Sequence, residues 1–183
     1  IGLTGVYLST QNESAYMDQL CGVYNRRYYN DYVRSFCNSR KKDDFLVGIL
    51  IDMDNFKQIN DSYGHMEGDR YLKNVAALLQ SLTNSDDEIF AARYGGDEFF
   101  VIAKNKAYEE IDIVLMHLIN DVMQAKIKFE SHPESDVVTV SAGAVNVVAH
   151  EGYEISDFIH EADNMLYKVK ENGRKGYCIA DNI

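Results

Sequence analysis

The sequence predicts an α+β sandwich, with helices packed on a mostly antiparallel sheet. Three observations support this class. The run "FLVGILIDMD" stays apolar until it ends in carboxylates, two β-rich segments flank the glycine pair of "RYGGDEFF", and amphipathic helical stretches separate these strands from the next one. With 183 residues and 46% hydrophobic composition, the chain can bury one proper core. It has no internal repeats and no low-complexity tracts.

Residues 1–17 are polar with scattered aromatics and read as a lead-in or linker helix from a longer chain, with the domain proper over 18–183. The start at Ile1, without an initiator Met or signal-like segment, fits a piece of something longer. "NRRYYNDYVRSFCNSRKK" sets Tyr28, Tyr32, Val33 and Phe36 near helical spacing and closes on basic residues, as a helix C-terminus favours. "FLVGILIDMD" has the look of a central strand buried on both faces. "GDRYLKNVAALLQSL" lines up Tyr71, Leu72, Val75, Leu78, Leu79 and Leu82 as an amphipathic helix. The hairpin strands "EIFAARY" and "DEFFVIA" follow, and the glycines between them suit a type I′ or II′ turn. A helix through "AYEEIDIVLMHLINDVMQAKIKF", a strand in "VVTVSAGAVNVV", a helix in "EISDFIHEADNMLYKVKENG" capped at Gly173, and an edge strand at "YCIA" complete the order.

The formal charge of −11 repels nucleic-acid backbones and anionic membrane surfaces, so a phosphate ligand must be met by a few placed cations or by metal. No nucleic-acid partner and no membrane contact are expected of this domain. Cys21, Cys37 and Cys178 are odd in number and widely spaced, which fits reduced packing thiols in a cytoplasmic setting rather than a disulfide framework or a zinc site. No apolar run approaches membrane-spanning length, so any anchor belongs to segments outside this one.

Chemistry concentrates in three places. Asp97 and Glu98 open a strand whose interior is apolar, and carboxylates beside a core must stay solvated, pair with cations or hold metal. If the 45–54 run and the hairpin are neighbouring strands, Asp52 and Asp97 converge, and with a backbone carbonyl they make a hard oxygen site suited to magnesium. Either carboxylate alone reads more readily as an ordinary turn residue, but the pair reverses that preference. In "DMDNFKQINDSYGHMEGD", Asn60 and Asp69 offer the amide and carboxylate that can read a purine edge, although each alone is more often a turn former or helix cap. Lys57 alone reads as a solvated lysine.

Taken together, "DQLCGVYNRR", "DMDNFKQINDSYGHMEGD", "RYGGDEFF" and "EADNMLYKVKENGRKG" resemble, in order and separation, the motifs of the GGDEF domain, the diguanylate cyclase family, from about Asp18 to Ala180. The resemblance implies a palm-like fold of the nucleotide-cyclase type that condenses two GTP molecules into cyclic di-GMP and two pyrophosphates. It implies Asp52, Asp97 and the Met53 carbonyl as ligands of magnesium, with manganese as an alternative. Asn60 and Asp69 would hold guanine. Lys170 and Arg174, four apart on the last helix, would reach the terminal phosphates, with the backbone amides around Asn55 and Phe56 cradling them. Lys57 and Glu98 join Asp97 as catalytic candidates, Lys57 as a further cation and Glu98 as a second acid in metal contact or in support.

The resemblance also implies partners. One domain carries one half-site, so turnover needs a second GGDEF domain in a homodimer, arranged by an upstream sensory domain or segment. Two rivals stand beside the active enzyme: a catalytically silent GTP-binding module, and a cyclase of mixed base choice. The intact signature argues against the first and Asp69 against the second. Departures from the family pattern are Cys21 for the usual Thr, Val23 for Leu, and Asp86 and Ile89 where many members carry the Arg and Asp that bind product.

Overall fold

The computed structural model describes residues 14–39, 44–83, 88–130, 136–147 and 155–180. The lead-in expected over 1–17 therefore lies mostly outside the described residues, as does Asp86. The elements run β1 (Tyr24–Asn25), α1 (Arg26–Ser39), β2 (Leu46–Met53), α2 (Phe56–Tyr63), α3 (His65–Thr83), β3 (Ile89–Gly95), β4 (Glu98–Lys104), α4 (Tyr108–Gln124), β5 (Val140–Val147), α5 (Ile155–Glu171) and β6 (Tyr177–Ile179). The strands form one sheet in the order β1-β3-β4-β2-β5-β6. Its centre is antiparallel, and the two edge pairs, β1 with β3 and β5 with β6, are parallel.

β2 is the middle of the molecule because it can be apolar on both faces. Val47, Ile49, Ile51 and Met53 point into one core with Tyr71, Leu72, Val75 and Leu79 of α3 and Leu115 and Leu118 of α4. Leu46 and Leu50 point into the other, with Tyr29 and Val33 of α1 and Phe158, Ala162 and Leu166 of α5. This two-residue alternation between layers is the periodicity of a pleated strand.

Two glycines set how close α5 lies to the sheet. A Cβ on Gly143 of β5 would run into the backbone at Ala162 and Leu166, and one on Gly48 of β2 would enter the Phe158 ring. Phe158, Ala162, Leu166 and Lys170 are spaced i, i+4 and share one face of α5. That face lies over the row Leu46, Gly48, Leu50 and Asp52 of β2.

The structure differs from the sequence expectations in four places. The polar segment 55–64 contains a helix, α2, which starts at Asn55 in a left-handed conformation (φ 57°) and buries Ile59. Asp97 lies in the hairpin turn, and the strand begins at Glu98. α4 stops at Gln124, beyond which Lys128 bridges Val137. The last helix ends at Glu171, because Gly173 (φ 98°) reverses the chain and the Arg174 N–H donates to Val169 O at 3.0 Å, the 6→1 bond of a Schellman cap. Arg174 therefore sits in the loop after α5, not on the helix face it was expected to share with Lys170.

Candidate active site

Asp52 comes last on the α1/α5 face of β2, and in the antiparallel register it pairs with Glu98 of β4 on one side and Ser141 of β5 on the other. Directly paired residues project to the same face of the sheet. The α5 row delivers a cation to this point: Lys170 Nζ lies 3.0 Å from Asp52 Oδ2, with side-chain exposures of 33% and 13%. Burial pushes the Asp52 carboxyl up to about 6, and Lys170 lowers it less than burial raises it, while Asp97 and Asp54 add to the rise. Glu98 is raised as well, by burial first and then by Asp97. The sheet thus gathers acidic groups that resist sharing negative charge, and a cation already leans on one of them.

The turn bearing Asp97 is pinned from outside. The register slips between Arg93 and Gly95, Gly96 takes φ 55°, and Arg93 Nη2 and Nε donate to Gly96 O at 2.7 and 3.1 Å. The same guanidinium reaches Asp18 Oδ1 at 3.4 Å, and that oxygen also accepts the N–H groups of Leu20 and Cys21. From the inside, the Met53 N–H donates to Asp97 O at 3.3 Å. The segment "DQLCG" and the hairpin form one unit fastened to the end of β2.

The other expected residues fall around the same rim. The αL residue Asn55 opens α2, whose first N–H groups have no acceptor within the helix. Lys57 is exposed on its first turn. Gly68 lets α3 pass hard against α2: a Cβ there would collide with the Asn60 side-chain oxygen and crowd Phe56. This brings Asn60 next to exposed Asp69, although nine residues separate them. Beside Glu98 opens a cleft of about 420 Å³ lined by Tyr94, Phe100, Ile159, His160 and Asp163. Arg26 stacks on Tyr94 at 4.3 Å.

The donor set fits magnesium. Asp52 and Asp97 with the Met53 carbonyl are hard oxygens, and among the described residues no three His, Cys, Asp or Glu side chains form a full protein cage. Magnesium commonly takes one or two carboxylates and completes its shell with water and substrate phosphates.

Sequence reasoning passed over Asp54, Arg93, Asp18 and Arg26. All four stand in quoted motifs as unexplained charges, Asp54 as the second carboxylate of "DMD". The partners of Asp54 lie far along the chain, at Thr139, Ser141 and Lys175, and Arg93 meets Asp18 across 75 residues, so no local spacing signals these pairs.

Fold and site together describe a palm-like domain whose acidic sheet end meets a lysine in the last turn of α5. The family model described as "Diguanylate cyclase, GGDEF domain" matches residues 15–176, and the chain belongs to this family. A protein named diguanylate cyclase from Vibrio cholerae is 34% identical over 166 residues, covering 89% of this chain and 48% of that protein. The crystal structure of the coiled coil and GGDEF domain of DgcB from Caulobacter crescentus, in complex with c-di-GMP, superposes with a TM-score of 0.84 at 27% identity, covering 97% of this chain and 92% of that one. The active GGEEF domain of a diguanylate cyclase from Vibrio cholerae gives 0.70 at 32% identity, covering 90% and all of that chain. The chain spans between 24% and 48% of the length of the first curated relatives it matches. No helix among the described residues is long and apolar enough to cross a membrane.

The raised Asp52 carboxyl has a consequence for stability. Its ordinary value is 3.8 and its folded value about 6, so the native state binds the proton more tightly and loses stability as pH rises through that window. Asp52→Asn is therefore expected to make the metal-free domain more stable at pH 7.5, by about 1–3 kcal/mol. The gain should vanish below about pH 4, where both forms are neutral. Denaturant titrations at the two pH values test this; a variant less stable at pH 7.5 would show that the pair with Lys170 outweighs burial.

Proposed function

We propose that this domain condenses two GTP molecules into cyclic di-GMP with release of two pyrophosphates. The observation that carries the proposal is the convergence at the end of β2: Asp52 is flanked by Glu98, faced by the turn of Asp97 and met by Lys170 at 3.0 Å. In the reaction the 3′-hydroxyl oxygen of one GTP bonds to the α-phosphorus of another, the bond to pyrophosphate breaks, and the hydroxyl proton leaves. Magnesium held by Asp52, Asp97 and the Met53 carbonyl would supply the charge that eases deprotonation of the hydroxyl and departure of pyrophosphate.

The chain's own groups do the rest. Lys170 is the cation nearest the carboxylates, and it is placed to exchange Asp52 for phosphate oxygens when nucleotide arrives. Arg174, three residues past the end of α5, and the N–H groups at Asn55 and Phe56 complete the phosphate cradle. Lys57 adds charge from the first turn of α2. Glu98, raised by burial, supports the acidic cluster from the neighbouring strand. Asn60 and Asp69 read guanine: the carboxylate accepts from N1 and N2, and the amide both donates and accepts. A single domain holds the donor and acceptor GTP only by meeting a second copy, so turnover requires a homodimer, and an upstream sensory segment of the full-length protein would control its formation.

Asp52→Ala and Asp97→Ala are each expected to abolish cyclic di-GMP formation while the domain stays folded, as chromatography of products from GTP and magnesium would reveal; comparable turnover in a folded double variant refutes the metal assignment. GTP is expected to bind more tightly than ATP, because adenine presents an acceptor at N1 where Asp69 needs a donor, a mismatch of about 1–3 kcal/mol. Equal affinities in competition binding would refute the guanine assignment.

Feedback by product is expected to be absent at the site many relatives use. Asp86 stands in place of the arginine whose paired donors grip phosphate and base, and Ile89 in place of the aspartate, buried in the core at 9% exposure. The check is initial rate against GTP at several product concentrations, and tight noncompetitive inhibition would overturn the expectation.

A further inference from the structure

A carboxylate beside the proposed metal ligands is more completely enclosed than either carboxylate among them. Asp54 is 1% exposed, and the other buried polar side chains among the described residues are Thr139 and Ser141, at 1% and 0%. The three form one network. Thr139 Oγ1 donates to Asp54 Oδ2 at 2.7 Å, Ser141 Oγ donates to Oδ1 at 2.7 Å, and the Lys175 N–H donates to Oδ2 at 3.2 Å. The Asp54 N–H in turn donates to Thr139 O at 3.0 Å. A buried carboxylate needs such a set of donors, and here they come from two separated segments, 139–141 and the turn at 175.

The third donor is the informative one. Lys175 follows Arg174, and both hold left-handed backbone, at φ 55° and 62°. Two successive residues with side chains are strained there, and such a turn persists only where its surroundings hold it. The holds are visible: the Arg174 N–H is tied back to Val169 O at 3.0 Å, and the Lys175 N–H is tied across to Asp54.

We infer that Asp54 is a positioning residue for the nucleotide's terminal phosphates. It fastens the 174–175 turn to the end of β2, so that Arg174 is presented from a fixed backbone on the metal-binding side of the sheet. The inference rests on the phosphate role given above to Lys170 and Arg174. What it requires of Asp54 is an oxygen that accepts from Lys175, not a negative charge and not contact with metal.

Asp54→Ala alone would strand two buried hydroxyls, so the informative variant combines it with Thr139→Val and Ser141→Ala, which leaves an apolar pocket. Affinities for GTP and GMP are measured by calorimetry with magnesium, on protein whose fold is checked by circular dichroism. GTP binding is expected to weaken about tenfold while GMP, which lacks the terminal phosphates, binds as before. Asp54→Asn is expected to bind GTP nearly as wild type, since its amide oxygen still accepts from Thr139 and Lys175 and its NH₂ can turn to the Ser141 oxygen.

Equal losses for GTP and GMP, or no loss for GTP, overturn the inference. So does a defect in Asp54→Asn as large as that of the triple variant, which would mean that charge is what matters. A wild-type domain that binds GTP no more tightly than GMP overturns the phosphate assignment itself, and the inference with it. One measurement needs no variant: hydrogen exchange at the Lys175 N–H is expected to be slow although that residue is exposed, and exchange at the rate of an open loop overturns the inference.

Discussion

Everything at this site depends on how closely α5 can lie on the sheet. Gly143 and Gly48 leave no side chain where the helix backbone and the Phe158 ring must pass. With that clearance, the helical row Phe158, Ala162, Leu166, Lys170 runs over the strand row Leu46, Gly48, Leu50, Asp52. The apolar members of both rows fill one core, and their polar last members meet as an ion pair. A bulkier residue at either glycine would lift the helix and carry Lys170 away from its carboxylate.

The same packing explains the electrostatics. A domain of net charge −11 has no general attraction for a triphosphate, and it places its acidic groups where burial makes their charge least welcome. Desolvated carboxylates close together favour any arrangement that brings in positive charge, whether a proton, Lys170 or a hard cation. Lys170 fills that need in part and remains one-third exposed, so it can be drawn away by a competing anion. An acidic domain in this way keeps local positive charge in reserve beside its carboxylates.

Two polar anchors keep the geometry from relaxing. On one side, Arg93 and Asp18 fix the hairpin turn to the segment that leads into α1. On the other, Asp54 gathers β5 and the loop after α5 against the end of β2. Both anchors are charged groups satisfied by several donors or acceptors, the first partly and the second fully withdrawn from water, an arrangement that tolerates little displacement. Between them lie Asp52, Met53 and Asp97.

Much of this was legible in the sequence. A continuous apolar run located β2, a glycine pair between β-rich segments located the hairpin, and helical spacing located the long helices, because burial on both faces of a strand or on one helical face shapes the local sequence directly. Four ordered motifs named the family. What the chain alone could not say is which charges touch. The helix hidden in the polar segment 56–63 has one buried residue, Ile59, too few to register as a pattern. The Gly173 cap that the sequence offered is there, but the helix it closes already ends at Glu171, and the bond from Arg174 N–H back to Val169 takes Arg174 off the face of Lys170. Asp54 read only as one of the carboxylates that end β2, since its partners stand 85 to 121 residues away and only the closed sheet brings them within 3.2 Å. Local periodicity is written by short-range burial and can be read from a string, whereas ion pairs and buried polar networks form between distant segments, so only the tertiary structure decided them.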